Sequence, residues 1–239
     1  MAVSFSTPST GAIAPSTSCT VSHTVSAGSN LALWVFAICW NSTDYLSSGT
    51  CTYGGTSLGS SIYNVSSLSG TYLRVWQMAA PPAGTANVVV TPSASAYLDV
   101  WVISASGVDQ ALLAQVSSAV NYASQFSTSP QSQSVTVPAS GACLSFGAYR
   151  NTGASTVSAV GGNGVTSVGT PPTGYAHTVL GTGAVITSHG WSWTNGSPGS
   201  DTFAMLALPI NAAAASSSSI VNNEHSRRGI NRGLLRGMN

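Results

Sequence analysis

The run Gly55-Thr56-Ser57-Leu58-Gly59 has the G-x-S-x-G spacing of a hydrolase nucleophile elbow. That chemistry needs the serine on a strained strand-to-helix turn, with a histidine and an acid later in the chain. Here Tyr53-Gly54-Gly55 lead into the motif, and strand-like segments lie on both sides of it. In a chain with 25 glycines the match reads as a β-turn, and Ser57 alone supports an esterase reading. His23, His177, His189 and His225 are far apart and lack ligand spacing such as H-E-x-x-H, so they read as surface or hydrogen-bonded residues. Cys19, Cys39, Cys51 and Cys143 form no C-x-x-C pair and read as buried free thiols. Asn41, Asn64 and Asn195 begin formal glycosylation sequons that read as turn composition. No catalytic residue, metal or cofactor is expected.

Charge narrows the chemistry further. Only 5% of the 239 residues are charged, against roughly 25% in ordinary globular chains. All six basic residues are Arg, so Walker-type phosphate binding and Schiff-base catalysis, which use Lys, are excluded. The few acids, Asp44, Asp99, Asp109, Asp201 and Glu224, are too scattered for polycarboxylate calcium sites. Residues 1–215 hold two Arg against four Asp, whereas residues 216–239 hold four Arg against one Glu. The body is nearly neutral and the tail is basic.

The tail places Arg227, Arg228, Arg232 and Arg236 among Gly, with Leu234, Leu235 and Met238 between them. Arginines grip carboxylates or phosphates while apolar residues fill pockets, which suits an extended docking arm. Nucleic acid is the weaker partner, because four Arg without an aromatic give little beyond electrostatics. The opening residues MAVSFSTPST lack the basic and apolar regions of a secretory signal, so synthesis without a signal peptide is expected. Leu31–Trp40, the longest apolar run, is about half a membrane span, and no membrane segment is expected.

Short alternating runs between turn clusters predict strands at 2–6, 19–25, 31–40, 50–53, 58–64, 71–79, 86–91, 96–105, 133–137, 142–150, 156–160, 175–180, 184–194 and 202–210. Gly54-Gly55 and Pro81-Pro82-Ala83-Gly84 are among the turns. Val108, Leu112, Val116 and Val120, four apart, allow a crossover helix over Gln110–Ala123. The organisation expected is a β-sandwich domain over 1–210, a small-residue linker over 211–226 and an Arg-Gly tail over 227–239.

Three strands share one scheme. Leu33, Val35 and Cys39 alternate with Trp34, Phe36, Ile38 and Trp40; Leu73 and Val75 with Tyr72, Arg74, Trp76 and Met78; Leu98, Val100 and Val102 with Tyr97, Asp99, Trp101 and Ile103. Strands apolar on both sides are covered on both sides. The aliphatic side reads as the inter-sheet core. The aromatic side (Trp34, Trp40, Tyr72, Trp76, Tyr97, Trp101) then needs another subunit, a glycan, or residues 108–130 folded over it. A homo-oligomer, most simply a trimer, is expected on this face. Arg74 and Asp99 would share it and could pair across strands.

Several runs resemble a β-sandwich domain of tailed-phage and prophage structural proteins. Leu31–Cys39 followed by Thr52-Tyr53-Gly54-Gly55-Thr56-Ser57-Leu58 is similar to its "TYGG-x-x-L" opening. Trp76 with Pro81-Pro82-Ala83-Gly84-Thr85 through Val90 resembles its "PPAGT" hairpin, and Ser104–Gln110 resembles its "SGVDQ" element. Gly190-Trp191-Ser192-Trp193 through Ile210 resembles its closing strand pair. The resemblance covers roughly residues 2–212 and implies an all-β, jelly-roll-like antiparallel β-sandwich without catalytic residues. It further implies a virion-surface role: capsid decoration (cement), docked by the tail on the major capsid or another virion protein. A head-fibre or tail-appendage module that binds a host surface glycan is the alternative, and a secreted esterase using Ser57 the remote one.

Overall fold

The structure, a computed structural model, describes residues 2–68, 70–111, 113, 118–122, 131–150, 156–160, 165–167, 174–180, 185–194 and 202–215. In chain order the strands are β1 (Ser4–Phe5), β2 (Ser9–Ser16), β3 (Cys19–Val25), β4 (Ala32–Trp40), β5 (Thr50–Tyr53) and β6 (Thr56–Ser57). Next come β7 (Tyr63–Leu68), β8 (Thr71–Ala79), β9 (Gly84–Thr91), β10 (Ala96–Ser106), β11 (Ser118–Tyr122) and β12 (Gln131–Thr136). The last are β13 (Ala142–Arg150), β14 (Thr156–Val160), β15 (Val165–Ser167), β16 (Gly174–Leu180), β17 (Val185–Thr194) and β18 (Thr202–Ile210). They pair antiparallel, and no helix occurs among the described residues. The fold is the all-β antiparallel sandwich that the alternation predicts.

The central sheet runs β1-β10-β4-β8-β7. β10 pairs with β4 from Tyr97 to Ala105 along one edge. Its other edge is shared by β2 and then β1. A front sheet, β3-β9-β5-β6, covers one face of the central sheet, and a back sheet, β11-β18-β13-β16-β15, covers the other. A three-stranded sheet, β12-β17-β14, lies beyond the back sheet, where Val135, Val137, Cys143 and Ala207 form a small core. The front sheet follows plain period-2 logic. In β3, Cys19, Val21, His23 and Val25 point inward, while Thr20, Ser22 and Thr24 face solvent.

Both faces of β4, in the middle of the central sheet, are dry. Leu33, Val35, Ala37 and Cys39 of β4 meet Val21, Val88 and Val90 of the front sheet. Trp34, Phe36 and Ile38 meet Leu144, Phe146, Leu206 and Leu208 of the back sheet. Phe36 and Phe146 stack with centroids 4.6 Å apart and planes at 13°, and Trp101 tilts against Phe146 at 5.2 Å. The cover over the aromatic side of β4 thus comes from Ala142, Leu144, Phe146, Leu206, Leu208 and Ile210 of the same chain. Residues 108–130 do not supply it alone, and the expected crossover helix is corrected: Ser118–Tyr122 is a strand paired with β18. Period-4 spacing there coincides with a sheet position, and the cross-strand bonds decide.

Register corrects the single aromatic face. Val35 lies opposite Trp76, and Cys39 opposite Tyr72, so the large rings of β8 share the aliphatic side of β4. Trp34 and Trp101 occupy the other side. Two connections also differ from expectation. Pro81-Pro82-Ala83-Gly84 is not a hairpin turn, because β8 belongs to the central sheet and β9 to the front one. β17 and β18 likewise lie in different sheets instead of pairing.

If the Phe146 ring fills the space between central and back sheets, Phe146→Ala should lower unfolding free energy by about 3–5 kcal/mol, as large-ring truncations in cores do. Urea titration followed by near-UV circular dichroism checks this; a loss under about 1 kcal/mol would mean that the two sheets are not packed through this ring.

Candidate functional site

Ser57 sits on β6, solvent-exposed, with its hydroxyl accepting the Gly59 N–H at 3.1 Å. Gly54 (φ 56°) and Gly55 (φ 82°) form the two-residue turn between β5 and β6. Both positive angles are those of a type I′ hairpin, which glycine adopts without strain. The local structure is strand-turn-strand and not the strand-to-helix elbow of a hydrolase.

The aromatic residues are dispersed. Trp34, Trp76 and Trp101 are fully buried, and Tyr72 is buried with its hydroxyl donating to the Ser42 carbonyl at 3.3 Å. Tyr97, 52% exposed, stands at the start of β10 opposite Trp40 in the β4 register. These residues do not make one docking or stacking surface. The Trp34 and Trp101 indole nitrogens are buried without hydrogen-bond partners. The docking-tail residues Arg227, Arg228, Arg232, Leu234, Leu235, Arg236 and Met238 lie outside the described residues, as do His177, His189 and His225 as side chains.

Arg74 also departs from expectation. It projects from the face opposite to Asp99, since Arg74 aligns with Ala37 and Asp99 with Ile38. Its partner is Asp44, from the loop after β4, with which it forms an ion pair, Arg74 buried and Asp44 partly so. Arg74 also donates to the Leu73 carbonyl at 3.0 Å. The other Asp44 oxygen accepts the Leu46 N–H at 3.0 Å, and Leu46 is buried in the front core. The pair thus clamps a loop over one end of the sandwich.

At the opposite end lies a polar line that the sequence analysis did not single out. His23 is 1% exposed. Its Nδ1 lies 3.0 Å from Ser9 Oγ and its Nε2 3.0 Å from Ser104 Oγ. Ser104 Oγ donates to Ser6 Oγ at 2.8 Å, and the Ser104 N–H reaches the same oxygen at 3.1 Å. Because the Ser104 hydroxyl gives its proton to Ser6, Nε2 of His23 is the donor towards Ser104, and Nδ1 accepts from Ser9. A general base would present a lone pair to Ser104; this arrangement presents a proton. Alternation held the signal: His23 and Ser104 are the polar members of two otherwise apolar inward faces, Cys19-Val21-His23-Val25 and Leu98-Val100-Val102-Ser104.

Ser6 and Ser104 line a half-open cleft of about 100 Å³ together with Ser4, Phe5, Ser26, Leu31, Ala105 and Ser106. No charged side chain borders it. The four cysteines are free and buried. Burial pushes Cys39 up to about 11 and Cys51 and Cys143 up to about 12. Burial and the Asp99 charge raise Cys19 to about 11. All four stay protonated at neutral pH, and a thiol is a poor nucleophile or metal ligand. Among the described residues no three of His, Cys, Asp and Glu come together as a metal site.

Burial lowers the affinity of His23 for a proton below its ordinary value of 6.5. The unfolded chain therefore takes up a proton that the folded chain refuses as pH falls below that value. Stability should be full above about pH 6.5 and decline towards the folded pKa, by up to about 1.4 kcal/mol per pH unit. Urea midpoints for wild type and His23→Asn across this range check it, the variant losing that part of the slope. Asp44→Asn keeps an oxygen for Leu46 but removes the charge opposite Arg74, and should cost about 1–3 kcal/mol in the same assay.

Compared with protein-family models, curated proteins and solved structures, the chain matches none of them.

Proposed function

We propose that the chain is a non-enzymatic structural protein of a tailed-phage virion, most simply a capsid decoration protein on the outer shell. The observation that carries this reading is that the residues resembling the phage sandwich pattern serve as joints of the fold. The glycines of Tyr53-Gly54-Gly55-Thr56 make the β5–β6 turn. Pro81–Gly84 moves the chain from the central to the front sheet, and the Tyr53 hydroxyl donates to the Gly84 carbonyl at 3.2 Å. In Ser106-Gly107-Val108-Asp109-Gln110, Gly107 and Val108 donate to Ser29 and Asn30, and Asp109 to Asn211. The Gln110 amide oxygen accepts the N–H of Ala80, which has a strained φ of 45°.

These are motif residues spent on architecture, which suits a shell protein better than an enzyme. The lack of lysine and the low charge suit a surface that resists nonspecific ionic contacts. The partner in this reading is an acidic surface of the major capsid protein or another virion protein, gripped by the four tail arginines and by Leu234, Leu235 and Met238. The argument for a trimer through the aromatic face lapses, because the chain covers that face itself; self-association must use other residues. The glycan-binding appendage is the second reading, and exposed Tyr97 at the start of β10 is the observation that favours it.

The test is a chain ending at Ala215. Asn211 and Ala213 still bond to Asp109 and Gly107 in that chain, so it should stay folded. It should fail to bind purified particles in a sedimentation assay, while the full chain co-sediments. Full occupancy by the shortened chain would overturn the docking-arm role, and absence of the full chain from particles would overturn the decoration role.

A further inference from the structure

We propose that the serine-lined cleft at the Ser104 end of β10 binds the acetamido group of an N-acetylated amino sugar. The site is distinct from Tyr97, which lies at the other end of β10, about 25–30 Å away along the strand. It does not depend on the virion role.

The cleft selects by size, charge and polarity. Its volume of about 100 Å³ is about two thirds of the roughly 150 Å³ of a cavity that holds a benzene ring, which leaves room for a group of about four heavy atoms. No charged side chain lines it, so an ionic ligand would lose hydration without compensation, and the occupant is neutral. The polar wall is directional. Ser9, His23, Ser104 and Ser6 form a chain of hydrogen bonds that all point the same way, and the Ser6 proton is its terminus. Such chains polarise their last donor, which favours a strong acceptor such as an amide carbonyl over a hydroxyl. Phe5, Leu31 and Ala105 supply apolar wall for a methyl group, and the Ser4, Ser26 and Ser106 hydroxyls can accept an amide N–H. An acetamido group presents these three features together. Phe5 is part-exposed beside the opening, and a pyranose ring carrying the acetamido group can lie over it.

Titration of methyl N-acetyl-β-D-glucosaminide into 15N-labelled protein, read by amide shifts, tests the assignment. Saturable binding in the millimolar range is expected, with shifts concentrated at residues 4–6, 26, 31 and 104–106. Methyl β-D-glucoside, which lacks the acetamido group, should bind at least roughly tenfold more weakly. Ser6→Ala should weaken binding by roughly five- to tenfold. Ser26→Trp, at an exposed position on the rim, should abolish it without touching the core. Absence of shifts at about 20 mM sugar, well above the affinity a group of this size supports, would overturn the proposal. So would equal binding of the glucoside, unchanged binding by both variants, or tighter binding of an N-acetyl-lysine peptide.

Discussion

β4, at the middle of the central sheet, has no face that water can wet, and the rest of the molecule follows from that constraint. β4 places Leu33, Val35, Ala37 and Cys39 on one side and Trp34, Phe36 and Ile38 on the other, all buried. Such a strand is unstable at a surface and costs nothing further only when both sides are covered. The front sheet covers one side with Val21, Val88 and Val90. The back sheet covers the other with Leu144, Phe146, Leu206 and Leu208. Each buried large ring removes about 150–250 Å² from water, which is what offsets the entropy of ordering so many small, polar loop residues. With 5% charged residues, there are few ion pairs to add to this.

Two groups of buried polar side chains sit at the two ends of the front interlayer space. Arg74 and Asp44 close one end, and His23 with its serines closes the other. A slip of one residue between β8 and β4 would move Arg74 from the front side, where Asp44 waits, into the aromatic core. Loss of the Ser104 register would likewise leave Nε2 of His23 short of its partner. These groups contribute little net stability but make wrong registers expensive. The back side carries buried Asp99, aligned with Ile38, and the two unpartnered indole nitrogens of Trp34 and Trp101.

Much of the fold was legible because period-2 alternation is a local signal. The strands at 19–25, 50–53, 71–79, 142–150, 156–160 and 202–210 have the predicted bounds. β2 was missed because Ser9–Ser16 is built of small residues and contains Pro15, and it reads as loop. It can lie against β3 because Gly11 has no side chain: a Cβ there would sit 2.7 Å from Val21. Pairing, in contrast, is nonlocal. Alternation tells which residues of one strand share a side, but not which side of β8 matches which side of β4. The single aromatic face failed on that point, and the Arg74–Asp99 pair failed with it. The His23–Ser104 contact spans 81 residues, so its two halves were visible in the sequence and their meeting was not.

The central claim is that one chain covers both faces of its own central sheet. Nuclear Overhauser contacts between the Phe146 ring and the Phe36 and Trp101 rings test it directly. They are read in uniformly labelled protein and again in a mixture of labelled and unlabelled chains filtered for intermolecular contacts. The account predicts strong contacts in the first sample and none in the filtered mixture, because the rings lie 4.6 and 5.2 Å apart within one chain. Contacts that appear only between chains, or not at all, would contradict it, and the aromatic side of β4 would then be an interface in need of a partner.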